Sequence, residues 1–304
     1  MRFLFGRNPQ LDSLAKSLIH LGHRVFYENT EPSYEYIVTD CIDGLENISF
    51  YKLVYFGKEP IQGEKVILGD ITLDAPTFLE KIRPELKVHL QKLAEATLPE
   101  NHVAYLKKLK ASGFEPKVIY DIGSCVLFWT KAAKELWPNA TYILFDAYME
   151  LECLYKGYDY HMGVLSDKEE EVKFYQNEYY PGGNSYYREI GSSAADYFFP
   201  ENNYILKQSS TLDKVVKERG FPLPDFVKID VQGCEVDIIK GGKETLQHAA
   251  RMIVELQHVE YNRGAFKSTE SLPIIESYGF TCVDPLFTNA GPDGDYGFIN
   301  SKRV

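Results

Sequence analysis

Hydrophobic positions along the chain alternate between short apolar runs and longer stretches with helical spacing. Over the first 75 residues this pattern predicts one helix, at 11–21, and five strands, at 2–5, 24–27, 36–39, 48–56 and 65–71. Short apolar strands combined with an amphipathic helix are typical of an α/β unit. We therefore predict a small α/β accessory domain at 1–75.

The next segment changes character, because its apolar residues recur every three or four positions. This spacing predicts two amphipathic helices between residues 76 and 112, ended by a glycine stop near Gly113. Their apolar stripes are expected to be packing surfaces, and they consist of Leu79, Ile82, Leu86, Leu90 and Leu93, then Val103, Leu106 and Leu109. We interpret 76–112 as a helical connector to a larger domain at 113–304.

From residue 113 onward, strands and helices alternate regularly. The pattern predicts strands at 118–121, 141–145, 161–165, 171–175, 226–229, 251–256, 280–283 and 296–300. It predicts helices at 127–136, around 150–155, and at 235–246 and 269–278. Parallel strands joined by crossover helices and closed by an antiparallel pair form an α/β doubly wound sheet. Ligands of such sheets bind at the carboxyl ends of the strands, so functional residues are expected there.

Composition narrows the possible functions. The net charge of −11 argues against sequence-tolerant binding of nucleic acid, which requires a basic surface. No apolar run approaches the roughly 20 residues of a membrane span. The five cysteines are scattered without a Cys-x-x-Cys pair, which favours reduced thiols in a cytoplasmic protein.

Two strand ends carry residues suited to an adenosine-type ligand. Asp121, Gly123 and Ser124 form the turn after the first strand of the large domain, and Asp146 follows the second strand, 23 residues beyond Gly123. A glycine turn lets backbone amides approach a ligand, and an acidic residue at this spacing holds ribose hydroxyls in related sheets. An ordinary turn and a surface aspartate are the alternatives. The Gly-x-Gly-x-x-Gly pattern is absent, so a dinucleotide is less expected.

The segment 225–235 contains the most informative residues. An apolar strand leads to Asp230, and a carboxylate at the end of a buried strand is costly unless it is paired or used. Glu255 and His258 end the next strand. We expect these three residues to form a catalytic site that supplies a general base or, through Asp230 and Glu255, holds a divalent cation such as Mg²⁺. A structural histidine is the alternative for His258, and a helix-start charge explains Glu235. The other six histidines have no comparable setting.

The segment 179–187 is a glycine-broken loop rich in tyrosine. Tyrosine combines a flat apolar face with a hydroxyl, which suits stacking against a sugar or another ring. Its position between two predicted strands favours a lid.

These segments together resemble the FkbM family of S-adenosylmethionine-dependent O-methyltransferases. The resemblance extends over about 114–300 and is carried by 120–123, 145–146, 184–185, 210–213, 228–235, 238–242 and 253–255. It implies a Rossmann-like methyltransferase fold and methyl transfer to a hydroxyl of a sugar or a glycosylated natural product. It also implies cofactor contacts at Asp121, Gly123 and Asp146. The full set of candidate cofactor residues also includes Ser124, Ser166, Asp167, Asn184 and Ser185.

The chain departs from the family pattern at several positions. Cys125 and Leu127 replace the usual Asn and second Gly, Asp146 replaces a Glu, and Gln232 stands at the hallmark Glu. The changes at Cys125 and Leu127 motivate an alternative, a non-catalytic binding or scaffold protein on a degenerate methyltransferase fold. A nucleic-acid ribose methyltransferase is disfavoured by the charge. We expect a small-molecule or glycan acceptor, no nucleic-acid or membrane partner, and a homo-oligomer.

Overall fold

The computed structural model describes residues 2–6, 11–20, 24–27, 34–39, 50–55, 66–68, 78, 84–288 and 291–303. The chain divides into two compact units, Met1–Val88 and His89–Val304. Three residues used in the sequence predictions lie outside the described residues. They are Cys41, one of the five cysteines, and Leu79 and Ile82 of the predicted connector. The division into accessory domain, connector and methyltransferase domain stays a prediction.

The first unit contains a five-stranded parallel sheet in the order β2-β1-β3-β4-β5. Its elements are β1 (Arg2–Phe5), α1 (Asp12–His20), β2 (Arg24–Phe26), β3 (Tyr34–Thr39), β4 (Phe50–Tyr55) and β5 (Val66–Leu68). Leu14, Ala15 and Leu18 are buried with Phe3 and Phe5 in one core, because their helical spacing places them on one face of α1. The strand order is that of flavodoxin-type doubly wound sheets.

Two helices occupy the region predicted as the connector, α2 (Pro84–Leu93) and α3 (Glu100–Ala111). The strands that follow are β6 (Val118–Ile122), β7 (Thr141–Asp146), β8 (Asp159–Met162), β9 (Val164–Leu165), β10 (Glu171–Phe174), β11 (Ile205–Ser210), β12 (Phe226–Ile229), β13 (Arg251–Gln257), β14 (Phe280–Asp284) and β15 (Asp293–Asn300). The further helices are α4 (Phe128–Leu136), α5 (Ala195–Phe198), α6 (Leu212–Arg219), α7 (Glu235–Gly241), α8 (Lys243–Leu246) and α9 (Ser268–Ser277).

A seven-stranded sheet organises the second unit, in the order β14-β15-β13-β12-β6-β7-β8. Strands β6, β7, β8, β12 and β13 pair in parallel, whereas β15 runs antiparallel to both β13 and β14. This arrangement confirms the predicted doubly wound sheet and its antiparallel end. The register places Lys228 beside Asp121 and Glu255 beside Asp295, which brings charged residues to one edge.

Local predictions failed where glycines or polar strands interrupt the pattern. The strand predicted at 161–165 is wrong, because β8 and β9 belong to different sheets and are separated by Gly163. The helix predicted at 235–246 divides into α7 and α8 at Gly242, and the helical stretch near 150–155 is a 3₁₀ turn at Met149–Leu154. The pattern also missed β11, whose sequence is largely polar.

Aromatic packing anchors the start of β12. Both tryptophans of the chain, Trp129 and Trp137, pack against Phe226 with ring centroids 5.5 and 5.8 Å away. Because both indoles lie in the second unit, tryptophan fluorescence reports on the folding of that unit alone. None of the described helices has both the length and the apolar character needed to cross a membrane.

Candidate functional site

The carboxyl ends of β6, β7, β12 and β13 open into a cleft, as expected for a doubly wound sheet. The cleft encloses about 1150 Å³ of empty space, part of it open to solvent. A concave, mostly apolar wall with a few polar groups is the usual form of a small-molecule site. Residues from α3, the loop after β10 and β15 complete its wall.

The turn after β6 requires a glycine for a steric reason. Gly123 has φ +81°, and a Cβ atom there would lie 1.8 Å from the carbonyl oxygen of Asp230. Cys125 and Leu127 also have left-handed φ values, of 43° and 70°. Glycine and asparagine adopt this conformation most readily. The chain therefore keeps the backbone shape that the family's Asn and Gly favour, although neither residue is present.

Asp146 stabilises the same turn. Its carboxylate accepts the backbone N–H groups of Cys125 and Tyr148, each at 2.9 Å. Burial raises the pKa of Asp146, and the two amides oppose that shift. Each carboxylate oxygen keeps a lone pair, so Asp146 can still accept hydrogen bonds from the hydroxyls of a ligand in the cleft.

The tyrosine-rich loop supplies an amide group to the cleft. Asn184 Oδ1 accepts the backbone N–H of Asn177 at 2.6 Å, which fixes the orientation of the side-chain amide. Asn184 Nδ2 is buried and has no hydrogen-bond partner among the described residues. Because an unpaired buried donor is costly, this atom is a natural partner for a ligand oxygen. Tyr179 and Tyr180, at the start of the loop, are 57% and 47% exposed.

A buried lysine connects two carboxylates beneath the cleft. Lys228 Nζ lies 3.0 Å from Asp230 Oδ2 and 3.6 Å from Asp121 Oδ1, and it donates to the carbonyl oxygen of Gly123 at 3.3 Å. Burial alone would raise the pKa of Asp230, but the Lys228 ammonium outweighs it and holds that pKa below its usual value. Asp121 is fully buried, and its Oδ2 accepts the hydroxyl of Thr130 at 2.5 Å.

Glu235 has a structural role at the turn after β12. Its Oε1 accepts the backbone N–H groups of Val231 and Gly233, at 3.1 and 3.0 Å. Burial raises the pKa of Glu235 to about 7. This carboxylate fixes the loop that carries Asp230 and Gln232, so it is more than the helix-start charge the sequence suggested.

Glu255 faces Asp230 across the end of the sheet. Gln232 Nε2 donates to Glu255 Oε2 at 2.8 Å and lies 3.3 Å from Asp230 Oδ1. Burial and the nearby negative charge of Asp230 raise the pKa of Glu255 well above its usual value. The proton of this pair is therefore favoured on Glu255 and the negative charge on Asp230.

The predicted site residues do not all reach the cleft. Seven of them line it: Gly123, Ser124, Asp146, Asn184, Ser185, Asp230 and Glu255. Asp121 lies beneath the turn, Ser166 is buried against Tyr186, and Asp167 is exposed.

His258 is not part of the cleft wall, and its Nε2 lies 3.3 Å from the hydroxyl of Tyr296. Side chains alternate faces along a strand, so the spacing of three from Glu255 directs His258 to the opposite face.

The expectation that no other histidine has a comparable setting is wrong. His102, on α3, lines the cleft, and its Nδ1 lies 3.3 Å from Asp295 Oδ2. Sequence reasoning also missed Lys228 and Asp295. A lysine inside an apolar strand is a usable signal, since lysine is almost never buried unpaired. The Gly-Pro-Asp-Gly-Asp run at 291–295 resembles a turn, and this hid the start of β15.

A divalent cation receives no support from the described residues. Among them, no group of three or more His, Cys, Asp or Glu side chains is arranged to hold a metal ion. The two predicted ligands are also engaged otherwise, Asp230 by the Lys228 ammonium and Glu255 by the Gln232 amide. The described residues of the cleft therefore do not fit a divalent cation.

The fold and the cleft define a Rossmann-like methyltransferase. The family model of the methyltransferase FkbM domain matches residues 120–282, more than half of the chain. The chain therefore belongs to the FkbM methyltransferase family. It is also 30% identical over 95 residues to the 2-O-methyltransferase NoeI of Sinorhizobium fredii. That match covers 31% of this chain and 37% of the relative, so it spans well under half of either protein.

Solved structures with a similar architecture include further methyltransferases. A putative O-methyltransferase from Klebsiella pneumoniae has 9% identity and a TM-score of 0.40, covering 72% of this chain and 89% of its own. Human N-acetylserotonin methyltransferase, solved with SAM, has 11% identity and a TM-score of 0.38, covering 74% and 58%.

Proposed function

We propose that this protein is an S-adenosylmethionine-dependent O-methyltransferase that methylates a hydroxyl of a sugar, a glycan or a glycosylated natural product. One observation carries the proposal: the turn after β6, Asp146 after β7 and Asp230 after β12 meet in a single cleft. Family membership supports methyl transfer, and the 2-O-methyltransferase activity of the NoeI relative favours an oxygen acceptor.

The residues of the cleft fit the cofactor. Asp146 would hold ribose hydroxyls, and the backbone at 123–125 would lie against the nucleoside. Asn184 Nδ2, a buried donor without a partner in the described part of the chain, would donate to an oxygen of the cofactor. When bound, S-adenosylmethionine supplies an electrophilic methyl group on a sulfonium centre, and positioning then provides much of the rate enhancement.

Acceptor residues lie on the other side of the same cleft. The ion pair of Lys228 and Asp230 places a fixed negative charge where an acceptor hydroxyl can donate a hydrogen bond. Glu255, whose pKa is raised by burial and by the charge of Asp230, lies beside this ion pair. The exposed rings of Tyr179 and Tyr180 adjoin the cleft residues Pro181 and Gly182, which suits stacking against a sugar.

The alternative of a non-catalytic scaffold rested on Cys125 and Leu127. Their left-handed backbone keeps the shape of the turn, which removes most of the motivation for that alternative. A cytoplasmic location and a homo-oligomer remain part of the proposal, and size-exclusion chromatography tests the second.

The first test is calorimetric titration with S-adenosylmethionine and S-adenosylhomocysteine, with and without Mg²⁺. We expect binding of both, independent of Mg²⁺, and at least a tenfold loss of affinity in Asp146→Ala, since a hydrogen bond to a charged group contributes about 1.5–3 kcal/mol. Asp213→Ala is the matched control, because Asp213 accepts amides of Glu244 and Thr245 away from the cleft. Absence of binding by the folded wild type would overturn the proposal.

A further inference from the structure

A second acid–base pair lies in the cleft, apart from Asp230 and Glu255. His102 Nδ1 is 3.3 Å from Asp295 Oδ2, with side chains 23% and 5% exposed. Both residues line the cleft. A histidine that contacts a buried carboxylate through one nitrogen presents its other nitrogen to its surroundings, and here these include the acceptor side of the cleft.

Asp295 is held in place from two directions. The Thr288 hydroxyl donates to Asp295 Oδ2 at 2.5 Å and accepts the Asp295 backbone N–H at 2.9 Å. The carbonyl oxygen of Asp295 accepts the backbone N–H of Phe287 at 3.0 Å. A carboxylate fixed in this way can orient an imidazole ring and select its tautomer.

Helix α3, which carries His102, is fastened to the same region. The ring of Tyr105 stacks on Phe287 with centroids 3.6 Å apart and planes 9° apart. The Tyr105 hydroxyl donates to Asp284 Oδ2 at 3.1 Å, and Lys108 forms an ion pair with the same carboxylate. The imidazole and its carboxylate are therefore both positioned by contacts between α3 and the 284–295 segment.

Two other carboxylates of the cleft are poorer candidates for a base. Asp230 lies in an ion pair with Lys228, and Glu255, whose pKa is raised by burial and by the charge of Asp230, favours the form that already holds a proton. His102 has its Nδ1 on Asp295, which leaves Nε2 to contact a ligand. Neutral imidazole is the side chain best suited to take a proton near pH 7.

We propose that His102 is the general base of this enzyme and that Asp295 is the residue that positions it, an inference that rests on the proposed O-methyltransferase function. With Nδ1 at 3.3 Å from the Asp295 carboxylate, the proton of the neutral ring would lie on Nδ1 and its lone pair on Nε2. The acceptor oxygen forms its bond to the methyl carbon while the carbon–sulfur bond breaks, and that electron pair stays on sulfur. Nε2 takes the hydroxyl proton and later releases it to solvent.

Both residues lie outside the segment 120–282 that the family model matches. His102 precedes that segment and Asp295 follows it, so the pair belongs to the flanks of this chain. The family match does not assign either residue a role.

A first experiment determines which ring nitrogen of His102 carries the proton, and it requires no methyl acceptor. Protein labelled with ¹⁵N-histidine is examined by long-range ¹H–¹⁵N correlation at pH 8, and His102→Gln assigns the His102 signals by their absence. We expect a protonated Nδ1 and an unprotonated Nε2, with this preference lost in Asp295→Asn. A proton on Nε2 in the wild type would overturn the inference.

A second experiment measures turnover with S-adenosylmethionine and a panel of p-nitrophenyl glycosides. In His102→Ala we expect kcat to fall about 100-fold or more, the usual contribution of a general base, with unchanged affinity for S-adenosylhomocysteine. Added imidazole should restore part of the rate in His102→Ala but not in Asp230→Ala. His102→Gln, which preserves bulk, separates loss of the base from loss of folding. His248→Ala is the matched control, since His248 contacts Arg303 and is not among the cleft residues.

The outcomes separate the two proposals. If the wild type binds no S-adenosylhomocysteine, the proposed function fails and the role of His102 fails with it. If the wild type methylates a glycoside and His102→Ala does so equally well, only the role of His102 is wrong. If no glycoside reacts, the tautomer experiment decides.

Discussion

At the scale of single residues, the close approach of two turns explains why Gly123 is needed. The carbonyl oxygen of Asp230 occupies the position that a side chain at 123 would take. The glycine therefore lets the turn after β6 pack against the turn after β12, and its role is steric as well as conformational.

We expect Gly123→Ala to lower the free energy of unfolding by about 3 kcal/mol, from a left-handed backbone and from overpacking. Gly113→Ala is the control, because Gly113 has a similar φ of +85° and a Cβ atom there would meet no other atom within 4 Å. It should cost only about 1 kcal/mol. Urea unfolding followed by tryptophan fluorescence measures both. Equal losses would contradict the steric explanation.

Glu255 predicts a pH dependence of stability. The pKa of Glu255 is raised in the folded state by burial and by Asp230, so the folded protein binds a proton that the unfolded chain releases. The stabilisation of the folded state by this proton uptake is fully present below the pKa of glutamate in the unfolded chain, about 4.3. It is lost as the pH rises through the pKa of Glu255 in the folded state.

Glu255→Gln removes this ionisation and keeps the shape of the side chain. We expect the variant to be more stable than the wild type at pH 8, with the difference shrinking toward pH 4.5. Urea unfolding at several pH values measures this. Glu244→Gln, at an exposed position on α8, should leave the pH profile unchanged. The opposite trend, in which the wild type gains stability relative to Glu255→Gln as the pH rises, would show that Glu255 is ionised in the folded protein.

At the scale of elements, the attachment of α3 determines where His102 lies. Tyr105 is 6% exposed and stacks on Phe287 beside the start of β15. Because His102 and Tyr105 are three residues apart, they share a face of the helix. The packing of Tyr105 therefore sets the position of His102.

We expect Tyr105→Ala to cost about 3 kcal/mol of stability, as for other large-to-small aromatic changes, and to lower kcat as His102 loses its position. Tyr105→Phe keeps the stacking and should cost about 1 kcal/mol, the value of one hydrogen bond. Fluorescence-detected unfolding and glycoside turnover check both variants. A fully active Tyr105→Ala would show that α3 does not position His102.

The order of elements was predictable from the sequence because apolar runs mark the buried strands directly. Apolar spacing identified β6, β7, β12 and β13, whose carboxyl ends form the cleft. It failed at β11 and at the start of β15, where polar, glycine and proline residues occupy strand positions. Pairing with neighbouring strands stabilises these segments, and a local pattern does not record such pairing.

The candidate site was predictable only in part, for a related reason. Asp146, Asp230 and Glu255 lie at or near the carboxyl ends of strands of the same sheet, so their meeting could be inferred from topology. His102 and Asp295 meet through the packing of α3 against 284–295, which no spacing within the sequence encodes. Side chains alternate between the two faces of a strand, so a spacing of three residues was sufficient to place His258 on the opposite face from Glu255.

At the scale of the whole molecule, the two compact units are built from separate sheets. The second unit begins at His89 and includes α3, so the cleft uses residues from the region predicted as a connector.

The cleft draws Leu98 and His102 from one side of the family segment and Asp295 from the other. In evolutionary terms, the family segment encodes Asp146, Asp230 and Glu255, and the flanks of the gene add Leu98, His102 and Asp295 to the same cleft. Under the proposed function, substitutions in the flanks would alter one wall of the cleft and leave the family segment unchanged.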